Sequence, residues 1–232
     1  MTIYVISRPF SDLNFLSKCV EVINKCDDVD FVLVIGELMS IFYKDEDWLY
    51  RLEQTLYGLK LVIENVCKIK SMVYLIPSHV TSLIVSTWGQ EILRPFVRID
   101  NEVRKIFNPF TYSFEVLTKG KDNVNFVLKP KVVNDEYVLL PNVSSIRKVI
   151  REDFDLSRFK IVAYLDEYTF SNMNSLNKVL ELFTKYHHLI LGRKIEPTKE
   201  HWPKNVNLWY MRIKSLYKID VDTLKPILIE LK

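Results

Sequence analysis

Glycine is scarce in this chain, with only five among 232 residues. Loops that hold nucleotide phosphates, such as Gly-x-Gly-x-x-Gly or Gly-x-x-x-x-Gly-Lys-Ser/Thr, need glycine at fixed positions so that the backbone can approach the phosphate. Neither pattern occurs, and the Gly-x-Ser-x-Gly turn of serine hydrolases is missing as well. We therefore expect neither a glycine-rich nucleotide cradle nor a serine nucleophile of that type.

Cysteine is also sparse, since Cys19, Cys26 and Cys67 are the whole set. An odd number without Cys-x-x-Cys spacing indicates neither a disulfide framework nor a zinc ribbon. On a helix Cys19 and Cys26 would lie roughly 10 Å apart along the axis, too far for a disulfide. We expect reduced, buried thiols.

Long apolar runs are missing, and no basic and apolar leader precedes the first strand, which starts almost at Met1. No window approaches the length that a bilayer crossing needs, so we expect no membrane insertion. A cytoplasmic location is the corresponding prediction.

Neither sign of charge dominates, because the formal net charge is +3 and the charged residues make up 26% of the chain. The sequence has no dense Lys/Arg run and no interleaved basic and aromatic motif of the kind that binds single strands. Nucleic acid is therefore a possible partner that the composition does not favour. The hydrophobic share of 48% fits a globular chain with a sizeable core.

The first third of the chain alternates between strand and helix patterns. Continuous apolar runs predict strands covered on both faces, and apolar residues at helical spacing predict amphipathic helices between them. Such a β-α-β-α-β opening favours parallel strands with right-handed crossovers. The predicted elements are a strand at 2–8, a helix from about 11 with Ser11 as N-cap, a strand at 30–35, a helix at about 45–70 and a strand at 71–76.

The rest of the chain mixes short strands with further helix patterns and ends in a predicted hairpin with its turn at 220–225. In that hairpin we expect Ile227, Ile229 and Leu231 to face inward. Together the elements predict a single α/β domain over residues 1–232, with two mixed β-sheets packed as a sandwich and flanked by helices. The remaining predicted strands are at 111–117, 124–129, 136–140, 160–165 and 188–191, with two more between 206 and 232.

Four predicted strands end in short polar segments, at the position where α/β proteins usually carry their chemistry. These segments are Ile6-Ser7-Arg8-Pro9-Phe10, Ile35-Gly36-Glu37-Leu38, Ile76-Pro77-Ser78-His79-Val80 and Leu191-Gly192-Arg193-Lys194-Ile195.

Their order and separation resemble the calcineurin-like metallophosphoesterases, whose strands end in Ser-Asp-x-His, Gly-Asp, Gly-Asn-His-Asp and Gly-His-x-His. The resemblance implies the α-β-β-α sandwich of that family. In active members it also implies two divalent cations, which activate a hydroxide and polarise a phosphate ester.

Most ligands of that pattern are absent here. Arg8 and Phe10 stand where Asp and His would bind metal, and a guanidinium offers no lone pair to a cation. Glu37 replaces the bridging Asp and is the best surviving candidate ligand. His79 matches the histidine that contacts the substrate phosphate, although the Asn and Asp beside it are missing. The chain thus resembles a degenerate member of the superfamily that lacks most metal ligands.

The second half supplies the other candidates. Asp166 and Glu167 follow the predicted strand at 160–165, where relatives carry a further histidine ligand, and Arg193 replaces a histidine of the last motif. The predicted occupants of the former metal cavity are therefore cations and carboxylates that can satisfy one another. We expect an Arg8–Glu37 or Arg193–Glu37 contact, and base rates also allow Asp166 and Glu167 to be solvated loop residues.

The leading functional interpretation is a non-catalytic pseudoenzyme that acts as a binding or scaffolding subunit with a protein partner, without cofactor or metal. A second interpretation keeps a metal-dependent phosphodiesterase or nuclease, in which Glu37 and Asp166 bind manganese or another divalent metal and His79 and Glu37 act in catalysis. A third uses Arg8, Arg193, Lys194 and His79 to bind a phosphate or nucleic acid without cleaving it.

Overall fold

The computed structural model describes the chain in separate segments, and all statements about structure refer to these. They are residues 2–39, 48–78, 81, 113–118, 121–127, 129–142, 145–146, 148–149, 152, 155–165, 183, 188–192, 208–220 and 222–231.

Two long helices and twelve strands lie in these segments. The helices are α1 (Leu13–Asn24) and α2 (Trp48–Val66). The strands are β1 (Ile3–Ser7), β2 (Phe31–Gly36), β3 (Met72–Pro77), β4 (Ser113–Thr118), β5 (Lys121–Val127), β6 (Lys131–Val132), β7 (Tyr137–Leu140), β8 (Lys160–Leu165), β9 (His188–Gly192), β10 (Leu208–Tyr210), β11 (Ser215–Asp220) and β12 (Lys225–Ile229).

The chain divides into two compact units, and unit 1 comprises Met1–Phe126 and Ile213–Lys232. Its described strands form a mixed sheet in the order β12-β11-β1-β2-β3-β5-β4. The strands β1, β2, β3 and β5 run parallel. The strand β11 pairs with β1 in the antiparallel sense, and β12 pairs with β11 in the antiparallel sense. All six residues of β2 are buried, as the continuous apolar run predicts.

Helix α1 begins one residue later than the sequence predicts. Asp12, and not Ser11, is the N-cap, because its carboxylate accepts the N–H of Phe15 at 3.0 Å. Ser11 lies in the preceding turn with φ 57 and its N–H bonded to the carbonyl of Leu38. The apolar face of α1 is buried, with Leu16 and Cys19 fully covered, and α1 packs against α2.

The closing hairpin of β11 and β12 confirms the predicted turn, in which the Asp220 carboxylate accepts the N–H groups of Asp222 and Thr223. The predicted inward orientation of Ile227 is wrong, because its side chain is 50% exposed. The strand β12 is at one end of the sheet order, so in the described segments its backbone has a neighbouring strand on one side only.

Unit 2 comprises Val127–Arg212 and contains a second mixed sheet in the order β10-β9-β8-β7-β6. Four of its strands are parallel, and β6 pairs with β7 in the antiparallel sense. The strand β10 lies beside β9 in this sheet, whereas the sequence pattern joins it to the closing hairpin. The core of unit 2 is apolar and includes Val138, Leu140, Ile146, Val149, Leu156, Phe159, Ile161, Ala163, Leu165 and Phe183.

An α/β fold with two mixed sheets is therefore present, as the sequence predicts. In the segments that the structure describes, neither helix combines the length and the apolar character that a bilayer crossing requires. The single-domain organisation of residues 1–232 stays a prediction.

Candidate functional site

The carboxyl ends of β1, β2 and β3 meet at one edge of the first sheet, because these strands are parallel neighbours. Arg8, Glu37 and Ser78 each follow directly on one of the three strands, and we call them the strand-end cluster. The amide of Arg8 donates to the carbonyl of Ile35 at 2.9 Å, and that of Ser78 donates to Gly36 at 2.9 Å. The structure thus brings the ends of the first three predicted motifs together.

Arg8 is a buried cation on a strained backbone. It is only 6% exposed, and its φ of 45 lies in the left-handed region, which costs a non-glycine residue roughly 1–2 kcal/mol. Two backbone hydrogen bonds hold it there: its N–H bonds Ile35, and its carbonyl accepts the N–H of Lys214 at 3.3 Å. The Arg8 backbone, from which the cationic side chain extends, is therefore held from both sides.

The backbone N–H groups of the turn that follows Arg8 are bonded to carbonyl groups of the protein. Phe10 (φ 49) and Ser11 (φ 57) are also left-handed. The N–H of Phe10 donates to the carbonyl of Glu37 at 3.2 Å, and the N–H of Asp12 donates to Pro9 at 2.9 Å. Because these amides are already bonded, the turn is not a backbone nest for an anion of the kind that phosphate loops form.

An ion pair joins this turn to the start of β11. The Lys214 ammonium lies 2.8 Å from the Asp12 carboxylate, although the two residues are 202 positions apart. Lys214, together with the N–H of Phe15, lowers the pKa of Asp12 below its usual range. Sequence reasoning missed Lys214, because no local pattern distinguishes it from the other lysines of the chain.

Ser78 has a local structural role. Its hydroxyl accepts the N–H of Thr81 at 3.4 Å and donates to the Thr81 hydroxyl at 3.2 Å, and both residues are buried. Acceptance from the N–H three residues on is the geometry of a helix N-cap. In the resembled enzymes this position belongs to an asparagine ligand, so its role here differs from metal binding.

Ser7, the last residue of β1, is fully buried at this edge. In register it lies between Ile35 of β2 and Ser215 of β11. Its hydroxyl has no hydrogen-bond partner within the described segments. Burying such a group without a partner commonly costs about 1–3 kcal/mol.

The other predicted site residues are His79, Asp166, Glu167, Arg193 and Lys194, and all five lie outside the described residues. The predicted contact of Glu37 with Arg193 therefore lies outside the described residues, and the contact of Glu37 with Arg8 stays a prediction. Within the described segments, no three His, Cys, Asp or Glu side chains gather as a group that could hold a metal ion.

A second concave feature was missed by sequence reasoning. An open groove of about 520 Å³ runs between the start of α1 and the closing hairpin. Apolar side chains and the Asp12–Lys214 pair share its walls. Its lining combines residues from both ends of the chain, which local periodicity cannot associate. The lining residues are Asp12, Asn14, Phe15, Lys18, Lys214, Ser215, Leu216, Leu228, Ile229, Glu230 and Leu231.

Comparison with known proteins gives a likeness in fold alone. No family model and no curated protein matches the chain. A solved structure of TT1561 from Thermus thermophilus matches with a TM-score of 0.55 and 10% sequence identity. The match covers 100% of this chain and 99% of that chain. This supports the α/β fold class over the whole length, while membership of the metallophosphoesterase superfamily stays a resemblance of motifs and their order.

Proposed function

We propose that this protein is a non-catalytic relative of the metallophosphoesterases that acts as a binding or scaffolding subunit for a protein partner. The observation that carries the proposal is Arg8, a buried cation fixed at the end of β1, where the resembled enzymes place a metal-binding aspartate. The proposal rests on the motif resemblance for that correspondence and on the structure for the burial.

Electrostatics oppose a divalent ion next to Arg8. Unit charges about 4 Å apart interact by roughly 4 kcal/mol at an effective dielectric constant of about 20, so a divalent cation would be repelled by roughly twice as much. The guanidinium has no lone pair to offer in compensation. The Arg8 backbone is bonded to both Ile35 and Lys214, so the origin of its side chain is held at this end of the sheet, and the residue is buried there.

A metal titration and a hydrolysis assay test the proposal. Calorimetric titration of the purified protein with Mn²⁺ is expected to show no tight site, and hydrolysis of a chromogenic phosphodiester should not rise above the buffer rate when Mn²⁺ is added. Glu37→Gln removes the best remaining ligand, and Glu64→Gln is a matched control on the partly exposed face of α2, where Glu64 pairs with Lys60.

Manganese-dependent turnover that Glu37→Gln abolishes and Glu64→Gln retains would reverse the proposal in favour of a metal-dependent phosphodiesterase or nuclease. The binding role is tested separately by affinity purification from native cells. A partner that copurifies in fixed stoichiometry and is retained by Glu37→Gln supports a scaffold, whereas a chain that consistently purifies alone contradicts it.

Anion binding without catalysis is a second candidate function, which the buried Arg8 cation favours. Salt-dependent binding of short oligonucleotides, measured by fluorescence anisotropy, would support it, because counterion release weakens phosphate contacts as salt increases. Equal binding by wild type and Arg8→Gln would argue against a role for this cation.

A further inference from the structure

The closing strand β12 is one of the two end strands of the first sheet in the described segments. It is last in the strand order, and in the described segments its backbone pairs on one side only, with β11. Edge strands of this kind can pair with a strand of another molecule, which is a common route to aggregation.

The residues at this edge would favour such pairing. Ile227 is 50% exposed and Leu228 is 41% exposed, and Ile229 completes an uncharged, β-prone run. Short runs with high β-propensity and low charge are typical of aggregating segments when they lie on an edge. The edge therefore needs a feature that opposes pairing.

The register of the hairpin shows how Pro226 is oriented. Pro226 pairs with Ile219, and Ile227 pairs with Lys218. Antiparallel partners alternate between pairs that exchange hydrogen bonds and pairs that do not. Because proline has no N–H, position 226 belongs to the second kind, and its backbone nitrogen faces away from β11.

This assignment fixes the rest of the strand. Ile227 directs its N–H and C=O toward Lys218, while Leu228, one position further, directs both groups toward the open side. The open edge thus presents the N–H of Leu228 but only a ring carbon at Pro226, where a pairing strand would need a donor. Proline occupies the one kind of position at which it costs no hydrogen bond within the sheet.

Charged residues stand at both ends of the run. Lys225 precedes Pro226, Glu230 follows Ile229, and both are exposed. Flanking charges and an edge proline are the means by which natural sequences keep unavoidable hydrophobic strands from pairing.

We propose that Pro226 is a guard residue that prevents the β12 edge from forming an intermolecular sheet with a second copy of this chain. The missing N–H of Pro226 interrupts the ladder of hydrogen bonds that two β12 edges would form. The neighbouring side chains of β12 can therefore be apolar without causing the edges to pair. This inference does not depend on the proposed loss of metal binding.

Restoring the donor tests the proposal. Pro226→Val supplies an N–H and a β-branched side chain, and we expect a shift from one defined species to concentration-dependent association, measured by sedimentation velocity. Pro226→Ala supplies the donor with little added apolar surface and should associate as well, more weakly. Both variants should unfold at or near the wild-type temperature, because Pro226 donates no hydrogen bond that could be lost.

Second substitutions separate backbone pairing from side-chain contact. In the Pro226→Val background, Leu228→Pro removes the second outward donor and again interrupts the ladder, so it should abolish association, whereas Leu228→Ala keeps that donor and should retain it. Ile227→Pro in the wild type should unfold the hairpin instead, because its N–H faces β11.

Several outcomes would overturn the inference. If the Pro226→Val and Pro226→Ala proteins fold and show no more association than wild type, the proline does not prevent edge pairing. A clear rise in the unfolding temperature of both variants would show that the nitrogen of residue 226 faces β11, because the new N–H would then gain a bond within the sheet. Loss of association in the Leu228→Ala protein would assign the association to side chains. A wild-type protein that already associates, with the Leu228 amide protected from hydrogen exchange, would also contradict the proposal.

Discussion

Gly58 in α2 lies against the turn that follows Arg8. A β-carbon at position 58 would come within 2.7 Å of the Ser11 hydroxyl oxygen and 3.5 Å of the Ser11 β-carbon. Ser11 has little freedom to move, because its φ is 57 and its N–H is bonded to Leu38 at 3.0 Å. Glycine is thus needed here for close approach of helix and turn, and we expect the sign of Gly58→Ala to depend on Ser11.

Two opposing terms set the magnitude. Alanine is about 1 kcal/mol more favourable than glycine inside a helix, whereas forcing an atom into a packed site typically costs roughly 1–3 kcal/mol. Gly58→Ala in the wild type should therefore lower the unfolding free energy by about 1 kcal/mol. For a chain of this length, that corresponds to a fall in Tm of about 2–4 °C.

In a Ser11→Ala background the clashing oxygen is absent, so the helix term alone remains. Gly58→Ala should then raise the unfolding free energy by about 1 kcal/mol, which gives a coupling of about 2 kcal/mol between the two sites. Urea unfolding of the four proteins, followed by circular dichroism, measures that cycle. If Gly58→Ala stabilises both backgrounds equally, the Ser11 hydroxyl simply rotates away and the reasoning about a rigid turn is wrong.

Four further predictions concern the same unit. Asp12→Ala removes both a cap and an ion pair and should cost about 1.5 kcal/mol of unfolding free energy, against about 0.5 kcal/mol for Lys214→Met, and equal losses would contradict the assignment of the cap. Lys214 lowers the pKa of Asp12, so the stability from this carboxylate is complete above its unfolded pKa and is lost as pH falls through the lower folded pKa. Wild type and Asp12→Asn should therefore converge in acid unfolding titrations, and a constant gap would refute the linkage. Burial raises the pKa of Cys19 to about 12, so iodoacetamide should modify the partly exposed Cys26 long before Cys19 in the native protein, and mass spectrometry after a timed reaction reads the order. Finally, Gly36 has φ 85, and Gly36→Ala should lower the urea midpoint by an amount equivalent to about 1–2 kcal/mol, while an unchanged midpoint would show that the strand end relaxes.

The local pattern of the sequence was a good guide to the elements of the fold. The apolar run of β2 and the helical spacing of α1 both predict the observed element, because burial on one or two faces imposes a matching period of apolar residues on the sequence. Element ends are predicted less well. The sequence favours Ser11 as the cap of α1, but Asp12 is the cap, since both are good capping residues and only the backbone of the turn distinguishes them.

The candidate site was predictable in its position but not in its environment. The motif order placed Arg8 and Glu37 at neighbouring strand ends, which the parallel pairing of β1 and β2 confirms. The left-handed backbone of Arg8 and its bond to Lys214 had no sequence signal, because both depend on a segment more than 200 positions away.

The order of apolar and polar residues by itself determined an α/β chain with parallel strands and a closing hairpin, because each strand or helix must match its own period of burial. Tertiary structure alone decided which residues meet across long separations. It paired Asp12 with Lys214, set Gly58 against Ser11 and left β12, which contains Pro226, at an edge of the sheet. These outcomes depend on strand order and on helix approach, and neither is encoded within any single segment of the sequence.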